Sequence, residues 1–133
     1  MAQKTIFITG GASGIGRAVA VKFGSQGWFV GLADVNEAGM RETAALLPAG
    51  KSSLHKLDVR DRAAWDEALS ACAAASGGRI DVVFNNAGIP LGGNLIENNT
   101  GEIERCLDIN LKGVLFGAQA AHPWLKASAP LVP

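Results

Sequence analysis

The sequence has 133 residues, enough for one domain with a hydrophobic core but not for two. Its 12 basic residues balance 12 acidic ones, so nucleic acid or an anionic membrane surface is not expected as a general partner. No apolar run approaches the ~20 residues of a membrane span. The N-terminus leads directly into a predicted strand, so no signal peptide is expected. A cytoplasmic protein without membrane association is expected.

Short apolar runs alternate along the chain with segments in which apolar residues recur at helical spacing. Four of these runs predict β-strands, at residues 5–9, 28–33, 53–59 and 80–84. Asn36 and Asp61 stand where helix N-caps are expected, and a last helix is predicted over 100–125. Strands that alternate with helices indicate βαβ units, a parallel sheet and helices on both of its faces.

The segment between the first strand and the first helix reads TGGASGIG, at residues 9–16. Because Gly10, Gly14 and Gly16 lack side chains, backbone N–H groups there can approach a diphosphate, and the helix N-terminus adds partial positive charge. Gly16 also permits close contact between helix and strand. Three glycines at this spacing are a weak pattern alone, and a simple tight turn is the alternative. The position between a strand and a helix favours the diphosphate site.

Asp34 ends the second strand, where a carboxylate is expected to accept hydrogen bonds from the adenosine ribose hydroxyls. Its alternative role is a favourable charge at the start of the next helix. A carboxylate facing the ribose repels a 2′-phosphate, and neither Val35 nor Asn36 supplies a positive charge, so NAD is predicted over NADP. Arg17 is the neighbour that could weaken this preference.

The glycine-rich segment together with NNAG at residues 85–88, directly after the fourth strand, resembles the short-chain dehydrogenase/reductase family. The resemblance continues through Asp58 and Val59 and through INLKG at 109–113, and it covers residues 4–125. It implies a Rossmann-type, doubly wound sheet of four strands in the order 3-2-1-4. It also implies an NAD-dependent oxidoreductase that transfers hydride between the nicotinamide and an alcohol or carbonyl compound.

The resemblance further implies roles for individual residues. Those expected to hold the diphosphate are Gly10, Ser13, Gly14, Ile15 and Gly16. The other expected cofactor contacts are Asp34 at the ribose, Asp58 and Val59 at the adenine, and Asn85, Ala87 and Gly88 toward the nicotinamide ribose. The expected catalytic residue is Asn110, which would bend its helix and order a water in a proton relay; a structural polar residue on a buried helix is the alternative. No metal site is expected, since Cys72 and Cys106 have neither a CxxC partner nor a neighbouring histidine.

One departure from the family concerns catalysis, because the sequence contains no tyrosine. The family's Tyr-x-x-x-Lys segment is therefore missing, and no fifth strand is predicted that would lead to the family's catalytic serine. Residues 1–133 are interpreted as a truncated, cofactor-binding Rossmann domain without activity of its own. Its alcohol or carbonyl substrate would need the second half of such an enzyme. A catalytically silent dinucleotide-binding or interaction module is the alternative. A methyltransferase-like domain is a third hypothesis, which the NNAG segment disfavours.

Two apolar surfaces indicate a protein partner. The last helix is apolar on more than one side and needs more cover than its own sheet provides. The strand at 80–84 would be a bare edge if no fifth strand pairs with it. Association through the last helix and this strand edge is therefore predicted, either with another copy in a homo-oligomer or with the missing second half of such an enzyme.

Overall fold

A computed structural model describes residues 3–129 of the chain, which fold around one sheet of four parallel strands. The strands are β1 (Thr5–Thr9), β2 (Phe29–Asp34), β3 (Ser52–Lys56) and β4 (Val82–Phe84). Their order is β3-β2-β1-β4, so β1 lies inside the sheet between β2 and β4, and the connection from β3 to β4 returns across the sheet to the free side of β1. The predicted fold class and strand order are confirmed.

Helices alternate with the strands and follow β4. They are α1 (Gly14–Ser25), α2 (Glu37–Ala44), α3 (Arg62–Ser76), α4 (Thr100–Leu107) and α5 (Gly113–Ser128), with a short 3₁₀ turn at Leu95–Glu97. The two predicted N-caps are confirmed, because the side chains of Asn36 and Asp61 accept hydrogen bonds from the N–H groups of Gly39 and Ala64.

Different helices cover the two faces of the sheet. Along β1, Ile6 and Ile8 are buried with residues of α1 and α2, whereas Phe7 is buried on the other face with residues of α3 and α5. Trp65 of α3 is fully buried on the same face as Phe7, and its indole N–H donates to the carbonyl of Val59 at 3.0 Å. This alternation explains the nearly continuous apolarity of the central strands.

The third strand is shorter than predicted, since it ends at Lys56 instead of Val59. Its last pair joins Lys56 to Asp34, the final residue of β2, so the following residues have no strand to pair with. The chain then turns, and the N–H of Asp61 donates to the carbonyl of Asp58 at 2.9 Å. Asp58 and Val59 therefore lie in a loop just beyond the carboxyl end of β3.

The fourth strand begins at Val82, two residues later than predicted. The carboxylate of Asp81 accepts the N–H of Thr5 at 2.8 Å, and the N–H of Asp81 donates to the carbonyl of Thr5 at 2.9 Å. The Asp81 side chain thus accepts the N–H of Thr5, and regular pairing with β1 begins only with the next residue pair, Ile6 and Val82. Within residues 3–129, β4 lies at an edge of the sheet.

The last helix is interrupted, where a single helix bent at Asn110 was predicted. α4 is capped by Asn99 in a capping box with Glu102, and a π-helical turn at Asp108–Lys112 separates it from α5. α5 includes Pro123 and continues three residues beyond the predicted end at Leu125. A π turn inserts an additional residue into the helix and often marks a functional site.

A partly buried histidine on β3 provides a test of the core. His55 lies with its ring centroid 5.8 Å from that of Phe7, and its Nε2 is 2.7 Å from the hydroxyl oxygen of Ser53. Burial disfavours the charged imidazolium, so the pKa of His55 is lowered from 6.5.

We expect the free energy of unfolding to decrease as the pH falls below 6.5 toward the lowered pKa of His55. In that range the unfolded chain takes up a proton on His55 and the native chain does not. The contribution of the neutral His55 to stability is therefore fully present above pH 6.5 and is lost as the pH falls through its lowered pKa. Urea unfolding between pH 7.5 and pH 5, compared with H55Q, measures this. An equal decrease in H55Q would assign the pH dependence to other groups.

Between residues 3 and 129, no helix combines the length and apolarity needed to cross a bilayer. In the same range, no three histidine, cysteine, aspartate or glutamate side chains are grouped as metal ligands would be.

Candidate cofactor-binding site

A cleft of about 400 Å³ lies at the carboxyl ends of the strands, on both sides of the point where the order reverses around β1. Ligands of open parallel sheets bind at this position. The lining residues are Gly10, Ser13, Gly14, Ile15, Ala33, Asp34, Val35, Leu57, Asp58, Val59, Asn86, Ala87, Gly88, Ile89 and Ile109.

Most of the predicted site residues line this one cleft. Those that do are Gly10, Ser13, Gly14, Ile15, Asp34, Asp58, Val59, Ala87 and Gly88. Gly16, Asn85 and Asn110 are not among the lining residues, and each has a different structural contact. The sequence prediction did not include the apolar lining residues Ala33, Val35, Leu57, Ile89 and Ile109, or Asn86. Asn86 could have been found, because it belongs to the same NNAG segment.

The glycine-rich loop presents bare backbone to the cleft. Gly10 and Gly14 have φ values of +69° and +56°, a conformation that side chains disfavour, and a Cβ on Gly14 would meet nothing within 4 Å. Ser13 precedes α1 in an extended conformation and its side chain makes no capping hydrogen bond. The first turn of α1 therefore lacks a side-chain cap at the cleft, as an anion-binding helix N-terminus requires.

Gly16 is buried beneath the loop instead of lining the cleft. A Cβ at this position would overlap the carbonyl oxygen of Gly10 and come within 2.9 Å of the Asn86 amide nitrogen. The absent side chain thus allows α1 to begin directly against the end of β1. This is the close helix-to-strand contact that its spacing predicted.

The carboxylate of Asp34 is oriented by two backbone amides. Oδ2 accepts the N–H of Ala12 at 3.1 Å, and Oδ1 accepts the N–H of Asn36 at 3.0 Å. A carboxylate can accept about four hydrogen bonds, so acceptor capacity remains on the cleft side. α2 is capped by Asn36, so Asp34 does not serve as its N-cap.

Asp58 forms an ion pair with Arg60 at the cleft wall. The Arg60 guanidinium donates to both carboxylate oxygens, with Nη2 2.6 Å from Oδ2. This contact lowers the pKa of Asp58 below its ordinary value. The side chain is 40% exposed, so water weakens the energetic value of the pair.

Thr9 and Asn86 tie the ends of β1 and β4 together. The hydroxyl oxygen of Thr9 accepts the N–H groups of Asn86 and Ala87, each at 3.0 Å. The Asn86 amide donates to the carbonyl of Thr9 at 3.2 Å. This network holds the glycine-rich loop beside the NNAG segment.

Asn85 faces α5 instead of the cleft. Its Oδ1 is buried, and among residues 3–129 no donor lies within hydrogen-bonding distance of it. A Cβ on Gly117 would overlap this oxygen and the ring of Trp65. In this structure Asn85 therefore lies at the contact between α5 and the sheet.

Asn110 lies in the π turn and holds the loop after the NNAG segment. Its Oδ1 accepts the N–H of Ile89 at 2.8 Å, and its Nδ2 donates to the carbonyl of Ile89 at 2.7 Å. The wider turn also brings the neighbouring Ile109 to the cleft. Asn110 thus positions the cleft wall through the Ile89 backbone.

Comparison with known proteins agrees with this arrangement. The short chain dehydrogenase family model matches residues 4–130. The chain belongs to the short-chain dehydrogenase family.

Among individual relatives, the chain is 34% identical over 123 residues to the meso-2,3-butanediol dehydrogenase of Serratia marcescens, covering 92% of this chain and 49% of that enzyme. It is 37% identical to the L-2,3-butanediol dehydrogenase of Corynebacterium glutamicum, covering 90% of this chain and 47% of the relative. The chain spans about half the length of the curated relatives it matches.

Solved structures are similar over the same region. Levodione reductase superposes with a TM-score of 0.88 at 32% identity, covering 96% of this chain and 51% of that one. The 3-ketoacyl-(acyl-carrier-protein) reductase of Brucella melitensis, complexed with NADH, has a TM-score of 0.88 at 28% identity and coverages of 95% and 52%.

Proposed function

We propose that this chain is the NAD-binding half of an alcohol or ketone oxidoreductase. The observation that carries the proposal is the single cleft that joins the glycine-rich loop, Asp34, the Asp58–Val59 loop and the NNAG segment at the switch point of the sheet. The names of the relatives, which include butanediol dehydrogenases and a levodione reductase, support an alcohol or carbonyl substrate.

The cleft residues fit the parts of a dinucleotide. The side-chain-free surface at Gly14 and the uncapped start of α1 suit a diphosphate. The oriented carboxylate of Asp34 suits ribose hydroxyls, and the apolar side of Val59 suits an adenine ring. Ile15 and Val35 are 68% and 59% exposed beside the cleft, and a bound cofactor would cover them.

NAD is preferred to NADP in this proposal because the cleft presents a carboxylate where a 2′-phosphate would lie. Two like charges about 4 Å apart repel by up to ~4 kcal/mol at an effective dielectric constant near 20. The nearby cation, Arg17, donates hydrogen bonds to Glu42 and to backbone carbonyls. Its guanidinium is therefore already paired and is not directed to a 2′-phosphate in the cleft.

When bound, NAD would supply the hydride acceptor of the reaction. The residues of this chain bind and orient it, and Asn110 supports the cleft wall through Ile89. The sequence has no tyrosine to exchange the substrate proton. We therefore expect cofactor binding by the 133-residue chain without turnover of alcohols.

Titration calorimetry of the purified chain with NAD, NADP and S-adenosylmethionine tests the proposal. We expect NAD to bind at least about tenfold more tightly than NADP, a ratio that corresponds to ~1.4 kcal/mol. S-adenosylmethionine should not bind. A folded chain that binds neither dinucleotide would contradict the proposal, and equal affinities would contradict only the NAD preference.

We also propose that two copies associate through the last helix, together with the edge strand β4. Leu107, Leu111 and Leu115 form a stripe at four-residue spacing, and each is more than half exposed. Lys112 beside the stripe is already paired within the chain, with its Nζ 3.6 Å from Asp108 Oδ1, so the apolar contact of the leucines carries this proposal.

Sedimentation velocity across a hundredfold dilution tests this association. We expect a dimer that dissociates on dilution, and a shift to monomer in L111E because it buries a charge between the helices. L46E is a control, since Leu46 is similarly exposed, at 59%, in the turn after α2. A well-folded monomer at all concentrations would reject the interface.

A further inference from the structure

Arg17 connects the glycine-rich loop to α2. It follows Gly16 in α1, and its Nε donates to the hydroxyl oxygen of Thr43 at 2.9 Å. Its Nη2 donates to the carbonyl of Ala12 at 2.6 Å and reaches the carbonyl of Gly39 at 3.3 Å. One guanidinium therefore forms hydrogen bonds both to the glycine-rich loop, at Ala12, and to α2, at Gly39 and Thr43.

Ala12 is held from two sides. Its N–H donates to the carboxylate of Asp34 at 3.1 Å, while its carbonyl accepts from Arg17. It is 2% exposed, and a Cβ on Gly39 would come within 2.8 Å of its methyl group. Asp34 and Arg17 form hydrogen bonds to the two peptide groups that flank the buried Ala12, so these peptide groups have little freedom to rotate.

The neutral acceptors matter more than the ion pair in this contact. Arg17 also approaches Glu42 at 3.1 Å, but the glutamate side chain is 69% exposed. An ion pair so accessible to water contributes little. The bonds to Ala12 and Thr43 are more shielded and use the planar fork of the guanidinium, which lysine cannot reproduce.

The consequence for the cleft follows from the planarity of the peptide bond. The carbonyl of Ala12 and the N–H of Ser13 belong to one trans peptide group and point in opposite directions. Ser13 lines the cleft. Holding the carbonyl of Ala12 therefore also holds the direction of the Ser13 N–H, a donor available to an anion at the start of α1.

We propose that Arg17 is a positioning residue for the dinucleotide: through the Ala12 carbonyl it orients the Ser13 N–H toward the diphosphate. It does not contact the cofactor itself. This inference rests on the proposed function, since it assumes a dinucleotide in the cleft. It predicts that removal of the guanidinium weakens binding without a correspondingly large loss of folding.

The test compares R17M with R62M in the 133-residue chain. Arg62 is a matched control because its side chain is 34% exposed, compared with 31% for Arg17, and it also joins two helices, through Gln119. We expect R17M to bind NAD about tenfold more weakly than wild type, the effect of losing one charge-assisted anchor. R62M should bind like wild type, and urea unfolding should give similar midpoints for the two variants.

A lysine variant adds the second measurement. R17K keeps the charge but cannot bond Ala12 and Thr43 in one fork, so its NAD affinity should lie between those of wild type and R17M. If R17M does not fold, the NAD affinity of R17K tests the inference, and we expect it to be about threefold weaker than that of wild type.

Three results would overturn the inference: wild-type affinity in a folded R17M, an equal loss in R62M, or, where R17M is unfolded, wild-type affinity in R17K. Each leaves the proposed function intact, because the wild-type chain still binds NAD. Absence of NAD binding by the folded wild-type chain would reject the proposed function and this inference together.

Discussion

Replacing Gly16 with alanine is expected to destabilise the fold by about 3 kcal/mol or more, a large part of the roughly 5–15 kcal/mol typical of a domain. The new methyl group would overlap the carbonyl oxygen of Gly10, which is backbone and cannot rotate away. Relief requires α1 to move from the end of β1. That movement would also strain the Asn86 amide, which bonds the carbonyl of Thr9. Urea unfolding followed by circular dichroism measures the loss.

Gly14, two residues earlier, provides the matched control. A Cβ there meets nothing within 4 Å, but the residue has a φ of +56°. G14A should therefore cost only the left-handed backbone strain, about 1–2 kcal/mol. Equal destabilisation by both variants would show that backbone conformation, and not the helix-to-strand contact, determines the effect at Gly16.

Removal of the Asp34 carboxylate should produce the largest change in ligand preference. D34A is expected to weaken NAD binding by about tenfold to a hundredfold, since hydrogen bonds to a charged acceptor contribute about 1.5–3 kcal/mol. Binding of NADP should weaken less or improve, because the repulsion of the 2′-phosphate disappears with the charge. Calorimetry with both dinucleotides gives the ratio that tests this.

E37Q controls for general electrostatics in the Asp34 experiment. Glu37 carries the same charge three positions along the chain, does not line the cleft and lies 4.0 Å from Lys56. Its NAD to NADP ratio should remain that of wild type. The carboxylate of Asp34 also bonds the N–H groups of Ala12 and Asn36, so the folded fraction of D34A must be measured. An unchanged ratio in a folded D34A would exclude Asp34 as the ribose ligand.

The local elements followed from the sequence because their signals are local. β1 spans the predicted residues, and the caps of α2 and α3 are the predicted Asn36 and Asp61. The strand order was predicted as well, but from the resemblance to the short-chain dehydrogenase/reductase family. The strand ends that differ from the prediction are determined by neighbouring strands. β3 ends at Lys56 because β2 has no further residue to pair with, and β4 begins at Val82 because the Asp81 side chain bonds the N–H of Thr5.

The last helix shows a different limit. Its apolar spacing predicted a helix but not the π turn at Asp108–Lys112. That turn coincides with the two hydrogen bonds between Asn110 and the backbone of Ile89, a residue 21 positions away. No local pattern encodes such a contact. For the same reason the sequence did not indicate that Ile109 would reach the cleft.

The sequence alone determined the class of fold and which segments meet at the cleft. Strand and helix periods are local, and the carboxyl ends of parallel strands necessarily lie at one edge of the sheet. Only the tertiary structure decided which side chain of each segment faces the cleft: Asn86 lines it while Asn85 contacts α5, and Arg17 is directed to α2. Those directions depend on packing between residues far apart in the chain, where steric fit and hydrogen-bond partners select one orientation for each group.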